Sequence, residues 1–251
     1  MPKRIIILNQ KGGVGKTTTV INISFSFAYL GKRVLLVDID PQANATSSFG
    51  IDKRRTNPNI YEVIIGKTKV DDAIKQTNIS GLSIVPSNIS LAGARVELGS
   101  LPNRERRLKD ALSCISDYDY IFIDPPPSIG IITLNGLVAA DSVIIPINIS
   151  YYAMEGIVEL LSLISKVKRN LNPSLFLEGV LVCMFDARTR LSFDIYNEIR
   201  GYFKEKVYRT IIPYNVRLAE APSHNLPCYL YDKNSRGAIA YIELAKEICS
   251  K

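Results

Sequence analysis

The stretch Gln10-Lys11-Gly12-Gly13-Val14-Gly15-Lys16-Thr17-Thr18-Thr19 constrains the chain more than any other. The apolar run Ile5-Ile6-Ile7-Leu8 precedes it, and residues 17–30, with apolar positions at helical spacing, follow it. That order predicts strand, glycine loop, helix. Glycines let backbone N–H groups converge on a phosphate, because no Cβ blocks close approach. The helix adds the positive end of its dipole. Lys16 then supplies a mobile positive charge for β- and γ-phosphates, and Thr17 a hydroxyl for Mg²⁺. Motif and context agree, so the bland reading of a turn that binds nothing is set aside.

At 251 residues and 47% hydrophobic composition, one α/β domain over residues 1–251 with a sizeable core is expected, and disorder is excluded. The longest apolar runs fall short of a membrane span. Met1-Pro2-Lys3-Arg4 leads straight into a strand, so no signal peptide is expected. Cys114, Cys183, Cys228 and Cys249 are scattered without C-x-x-C spacing, which suggests reduced thiols in the cytoplasm rather than disulfides or a metal site. With His224 as its one histidine, the chain is poorly equipped for histidine-based metal binding or base catalysis. The formal net charge of +7 permits a polyanionic partner without demanding one.

Further along, residues 33–37 form a buried-strand run that ends in Asp38-Ile39-Asp40-Pro41-Gln42-Ala43-Asn44. Ligands of open α/β sheets sit at strand carboxyl ends, and carboxylates spaced i and i+2 point to one side of the chain. Residues 46–59 read as a loop holding Lys53-Arg54-Arg55, and residues 61–65 and 70–74 as two short helices around Gly66. A strand is expected over 82–86 and a helix over 103–116, where Arg104, Arg106, Arg107 and Lys109 make a charge run best read as a solvated face. Tyr120-Ile121-Phe122-Ile123-Asp124-Pro125-Pro126-Pro127-Ser128 is an apolar strand running into one aspartate, the Walker B arrangement, which sets that carboxylate beside Mg²⁺. The prolines force a turn at the top edge of the sheet. Strands over 142–147, 178–185 and 207–212 follow, with helices from about 151 to 170, through 204, and over 236–248. Alternation of strands and helices argues for an α/β fold, a mainly parallel twisted sheet with helices on both faces.

Lys11-Gly12-Gly13-Val14-Gly15-Lys16-Thr17-Thr18 departs from the usual phosphate loop, since Gln10 holds the first glycine position and a second lysine follows it. The run resembles the deviant Walker A motif of the ParA/MinD P-loop ATPases. With residues 38–44, the Asp124 motif, Tyr151 to Gly156, Asp186 to Thr189 and Asn215 to Ser223, the resemblance to ParA/Soj partition ATPases covers essentially the whole chain. It implies an ATP-driven dimer switch that binds double-stranded DNA non-specifically, is nucleoid-associated, and is stimulated by a ParB-type partner. By the same resemblance Lys11 reaches the partner's nucleotide. Lys11, Gly12, Gly13, Val14, Gly15, Lys16, Thr17 and Thr18 hold the phosphates, and Pro213 and Asn215 line the adenine pocket. Asp40 positions or activates the attacking water. Asp38 joins Thr17 and Asp124 near Mg²⁺, and Arg188 and Arg217 touch DNA. Tyr214 stands where relatives often have arginine. The alternatives are a ParA-like ATPase positioning another cargo, and a MinD-like ATPase on a membrane; the latter needs an amphipathic C-terminal helix, for which residues 243–251 look too short.

Overall fold

The computed structural model describes residues 1–150, 154 and 156–250. Among them, β1 (Lys3–Ile7), β2 (Val34–Asp38), β3 (Lys75–Gln76), β4 (Leu82–Val85), β5 (Tyr120–Asp124), β6 (Ser142–Asn148) and β7 (Phe176–Cys183) form one sheet. Its order is β3-β4-β2-β5-β1-β6-β7. Every pairing is parallel except β3 with β4. The strands are apolar runs because both faces are covered. Successive side chains alternate, so Ile5 and Ile7 join one core cluster while Ile6 and Leu8 join the other.

The first cluster is closed by α1 (Lys16–Tyr29) and by the last helix, Arg236–Cys249, packed side by side. The second lies under α2 (Ile131–Ala139), α3 (Ile157–Asn170), α4 (Arg190–Phe203) and the short helices of residues 60–114. We call Arg236–Cys249 α5. No helix of the described residues is long and apolar enough to cross a membrane, and all four cysteines are free.

Three expectations change in detail. The helix expected over 103–116 shrinks to Arg107–Ala111 plus a 3₁₀ turn, Leu112–Cys114. Residues 207–212 meet β7 at their two ends and form no continuous strand: Tyr208 and Ile212 donate to the Val180 and Val182 carbonyls at 2.9 Å, with bridges at Val207–Val180 and Phe185–Pro213, while the amides of Arg209 and Thr210 donate to Glu247 at 2.8 and 2.9 Å instead of to a strand. The loop expected from residue 46 begins instead with a helical turn, Asn44–Ser47. The expected helix start at 151 and most of the 151–156 motif lie outside the described residues; α3 begins at Ile157.

Candidate functional site

The site stands at the carboxyl ends of β1, β2 and β5, which are neighbours in the order β2-β5-β1. The loop after β1 turns into α1 through Gly13 (φ +71°) and Gly15 (φ +91°). Both angles lie in the left-handed region that side chains disfavour. No atom comes within 4 Å of where a Cβ would stand on Gly12 or Gly13, so these amides border open space. Gly15 is the N-terminal cap of α1 and makes no side-chain cap bond there. The first-turn N–H groups of a helix are orphan donors, and an anion satisfies them.

Lys16 is buried, and its Nζ donates to the Lys11 carbonyl at 2.7 Å. The two lysines of the loop are thereby joined. Burial pulls the Lys16 ammonium below its ordinary pKa, while Asp124 and Asp40 pull it back up. Asn9, which sequence reasoning passes over, braces the loop: its Oδ1 accepts from the Lys11 amide at 3.0 Å, and its Nδ2 donates to the Pro146 carbonyl at 2.7 Å.

Asp38 and Asp124 are register partners on β2 and β5, so their carboxylates face the same side of the sheet. Their environments differ. Asp38 Oδ1 accepts from the Asp40 amide at 3.0 Å, and Oδ2 from the Thr46 amide and hydroxyl at 2.9 and 2.7 Å. Burial pushes its pKa up to about 6 despite those bonds. Asp124 is fully buried, and neither of its oxygens has a hydrogen bond of acceptable geometry. Burial and then Asp38 push its pKa well above the ordinary carboxylate range, against the nearby Thr17 hydroxyl and the Lys16 ammonium. Asp40 is also buried, its Oδ1 accepting from the Gln42 amide at 2.9 Å.

Two unsatisfied acceptor oxygens beside a hydroxyl suit a hard divalent cation that completes its shell with phosphate and water. The described residues contain no cluster of three or more His, Cys, Asp or Glu side chains able to hold a metal alone. Asp38 differs from Asp124 here, because its oxygens already anchor the loop that carries Asp40.

Next to Gly15 and Thr18 opens a cavity of about 180 Å³, whose walls include Pro213, Asn215, Met184, Ile212 and Leu218. Pro213 and Asn215 are therefore brought to the same cavity as Gly15 and Thr18 of the loop. Asn215 Oδ1 is buried without a hydrogen bond. Cys183 also lines the cavity, and burial pushes its thiol up to about 12, which leaves it unreactive. Met184, Ile212 and Leu218 carry no sequence signal beyond being apolar.

Arg188 and Arg217 lie on the surface beyond this cavity. Arg188 forms a two-pronged pair with Asp186 at 2.8 and 2.7 Å, with 83% of its side chain exposed. Arg217 meets Glu220 at 2.8 Å and Asp232 at 3.4 Å, and lies over the Tyr231 ring. Tyr214 is 63% exposed. Of the 103–109 run, Arg104 pairs with Glu105, Arg106 lies 4.0 Å from Asp110, and Arg107 donates to the Ile64 carbonyl.

A phosphate loop between β1 and α1, with acidic strand ends on two neighbouring strands of a mainly parallel sheet, defines a P-loop NTPase fold of the deviant Walker A type. The AAA domain family matches residues 2–177. The sporulation initiation inhibitor protein Soj of Bacillus subtilis is 52% identical over 251 residues, covering 100% of this chain and 99% of Soj. The chromosome partitioning protein ParA of Myxococcus xanthus is 47% identical, covering 98% and 88%. A solved structure of a cobyrinic acid a,c-diamide synthase from Mycobacterium smegmatis, with bound ADP and magnesium, is similar at a TM-score of 0.87 and 38% identity, covering 98% of this chain and 93% of that one. The chain belongs to the ParA/Soj family of chromosome-partitioning ATPases.

Proposed function

We propose that this chain, acting as one ATPase domain, binds ATP with Mg²⁺, dimerises around two nucleotides, grips double-stranded DNA non-specifically in that form, and is released when a ParB-type partner stimulates hydrolysis. This places its work in the cytoplasm, on the nucleoid. The observation that carries the reading is the loop: an open phosphate cradle with Lys11 at its mouth, in a chain that aligns end to end with Soj. Two triphosphates facing each other across a two-fold axis repel. One lysine per subunit entering the other's site relieves that repulsion, and symmetry makes each residue act twice. Charge stabilisation supplied in trans is worth roughly 10³–10⁵ in rate in GTPase systems.

Within one subunit, Gly12, Gly13, Val14, Gly15 and Thr18 present backbone to the phosphates, and Lys16 leaves the Lys11 carbonyl for the β- and γ-oxygens. Thr17 and Asp124 would hold Mg²⁺, and the chemistry it would supply there is charge neutralisation on the phosphoryl oxygens. Asp38 fixes the Asp40 loop and adds negative potential to the metal site. Asp40 orients the water. The unsatisfied Asn215 Oδ1 accepts the exocyclic amine of adenine beside Pro213, an interaction that the carbonyl of guanine cannot make. Arg188 and Arg217 bind phosphates rather than base edges, so affinity is salt-dependent and rises when dimerisation doubles the number of arginines on one duplex. Those arginines must exchange Asp186, Glu220 and Asp232 for DNA phosphates, which exposed pairs of this kind oppose only weakly.

A membrane-associated role gains no support from α5, whose apolar side chains Leu244, Ala245 and Ile248 are buried in the core. The test is DNA affinity across a salt series with ATP, ADP and no nucleotide. Tight, steeply salt-dependent binding with ATP alone is expected; equal binding without nucleotide refutes the switch.

A further inference from the structure

The loop of residues 51–56 carries positive charge that the reading so far does not use. Unlike the 103–109 run, it is tied to the site. Lys53 Nζ donates to the Gln42 carbonyl at 2.7 Å, and the Gln42 amide donates to Asp40 Oδ1 at 2.9 Å. Arg54 and Arg55 follow, both exposed. Asp52 is the acid that faces them: its Oδ1 accepts from the Arg54 amide at 2.9 Å, and its Oδ2 lies 3.7 Å from Arg55 Nε, with 90% of the Arg55 side chain exposed. The Arg54 side chain forms no ion pair among the described residues.

The base of the loop is anchored. Phe49 and Ile51 pack in the cluster that contains Leu218 and Ala221. A Cβ on Gly50 would lie 3.8 Å from the Asn225 Cβ. The base of the loop therefore stands beside Asn225, in the stretch that follows the helical turn carrying Arg217. Exposed guanidinium groups with weak internal partners displace counterions from a phosphate backbone at little cost.

We propose that Arg54 and Arg55 form a second phosphate-binding element for duplex DNA, held by Lys53 to the Asp40 motif. The proposal rests on the DNA-binding reading above and adds to it a place and a tie. Movement of the Gln42 carbonyl, two residues from Asp40, carries the loop with it, so the nucleotide state sets how the two arginines meet the DNA.

The experiment is fluorescence anisotropy of a labelled random-sequence duplex, using the full chain with a hydrolysis-resistant ATP analogue and Mg²⁺ over a salt series. Deleting one cation that neutralises a DNA phosphate lowers the salt slope by about 0.9. Arg54→Gln with Arg55→Gln lowers it by about 2 per protomer engaged and weakens binding about tenfold or more. Arg104→Gln with Arg106→Gln removes equal charge and leaves the slope near wild type, and Arg54→Lys with Arg55→Lys restores most of it. An Arg54, Arg55 variant with the wild-type slope overturns the proposal. So does an equal drop in the Arg104, Arg106 variant, since net charge alone would then explain both. Lys53→Met keeps both arginines and narrows the ratio of ATP-state to ADP-state affinity; an unchanged ratio overturns the tie. A wild-type protein that binds no duplex overturns the DNA reading itself, and the loop's role with it.

Discussion

Asp124→Asn is expected to stabilise the protein without nucleotide and to destroy its response to Mg²⁺ and ATP. Asp124 is buried with two unsatisfied oxygens and has Asp38 beside it. An unsatisfied buried polar group costs about 1–3 kcal/mol, more when charged. Asparagine keeps the shape and leaves a buried amide just as unpaired, so the gain is that of removing the charge alone, about 1–3 kcal/mol near neutral pH, or a melting temperature higher by about 2–12 °C for a chain of this size. The sign of the pH dependence is fixed by the direction of the shift. The folded carboxyl holds its proton to higher pH than the unfolded one, so Asp124 costs the fold nothing at low pH and progressively more as pH rises toward its folded pKa. The variant's advantage grows over that window and levels off above it. With Mg²⁺ and ATP at about a hundred times the dissociation constant, the wild type gains about 2.7 kcal/mol; the variant, lacking the charge that holds the metal, gains little, and the order of stability narrows or inverts. Differential scanning fluorimetry with and without Mg²⁺-ATP at several pH values reads all of this. A variant that melts below wild type without nucleotide, or that gains as much from Mg²⁺-ATP, refutes the reasoning.

Lys11→Ala should retain nucleotide binding but lose ATP-dependent dimerisation and stimulated turnover; light scattering that still shows a dimer with ATP contradicts this. Asp40→Ala should bind ATP and remain a dimer, with phosphate release close to background, and wild-type release would remove Asp40 from the mechanism. Alanine at both Arg188 and Arg217 should abolish the gel shift while ATP turnover persists, and an unaltered shift contradicts the assignment. Because Arg217 also holds Glu220 and Asp232, its replacement should lower the melting temperature slightly as well, as expected for exposed pairs of this kind.

The catalytic end of the fold is legible because its chemistry is written locally. Glycines, lysine and threonine are consecutive, and Asp38 and Asp124 each end an apolar run, so strand order alone brings them into register. What is not legible depends on distant partners. Leu108, at the start of Arg107–Ala111, donates its amide to Asn135 of α2 at 3.1 Å, and Asn135 donates to the Arg104 carbonyl at 2.8 Å. No local residue predicts that cap, so the charge run reads as helix several residues too early. The chain bows away from β7 after Tyr208 because the Tyr208 ring lies on Gly179, where a Cβ would come within 2.6 Å of it, and Glu247 takes the next two amides. Asn9 escapes notice for the same reason: its support of the loop runs through Pro146 on another strand.

The central claim is that nucleotide, held by this loop, clasps two copies together. The most direct measurement is the mass of the wild-type protein in solution, by multi-angle light scattering, with Mg²⁺ and a hydrolysis-resistant ATP analogue, against ADP. The account predicts twice the protomer mass with the analogue and the protomer mass with ADP. A protein that keeps one mass in both conditions, whether single or double, contradicts it.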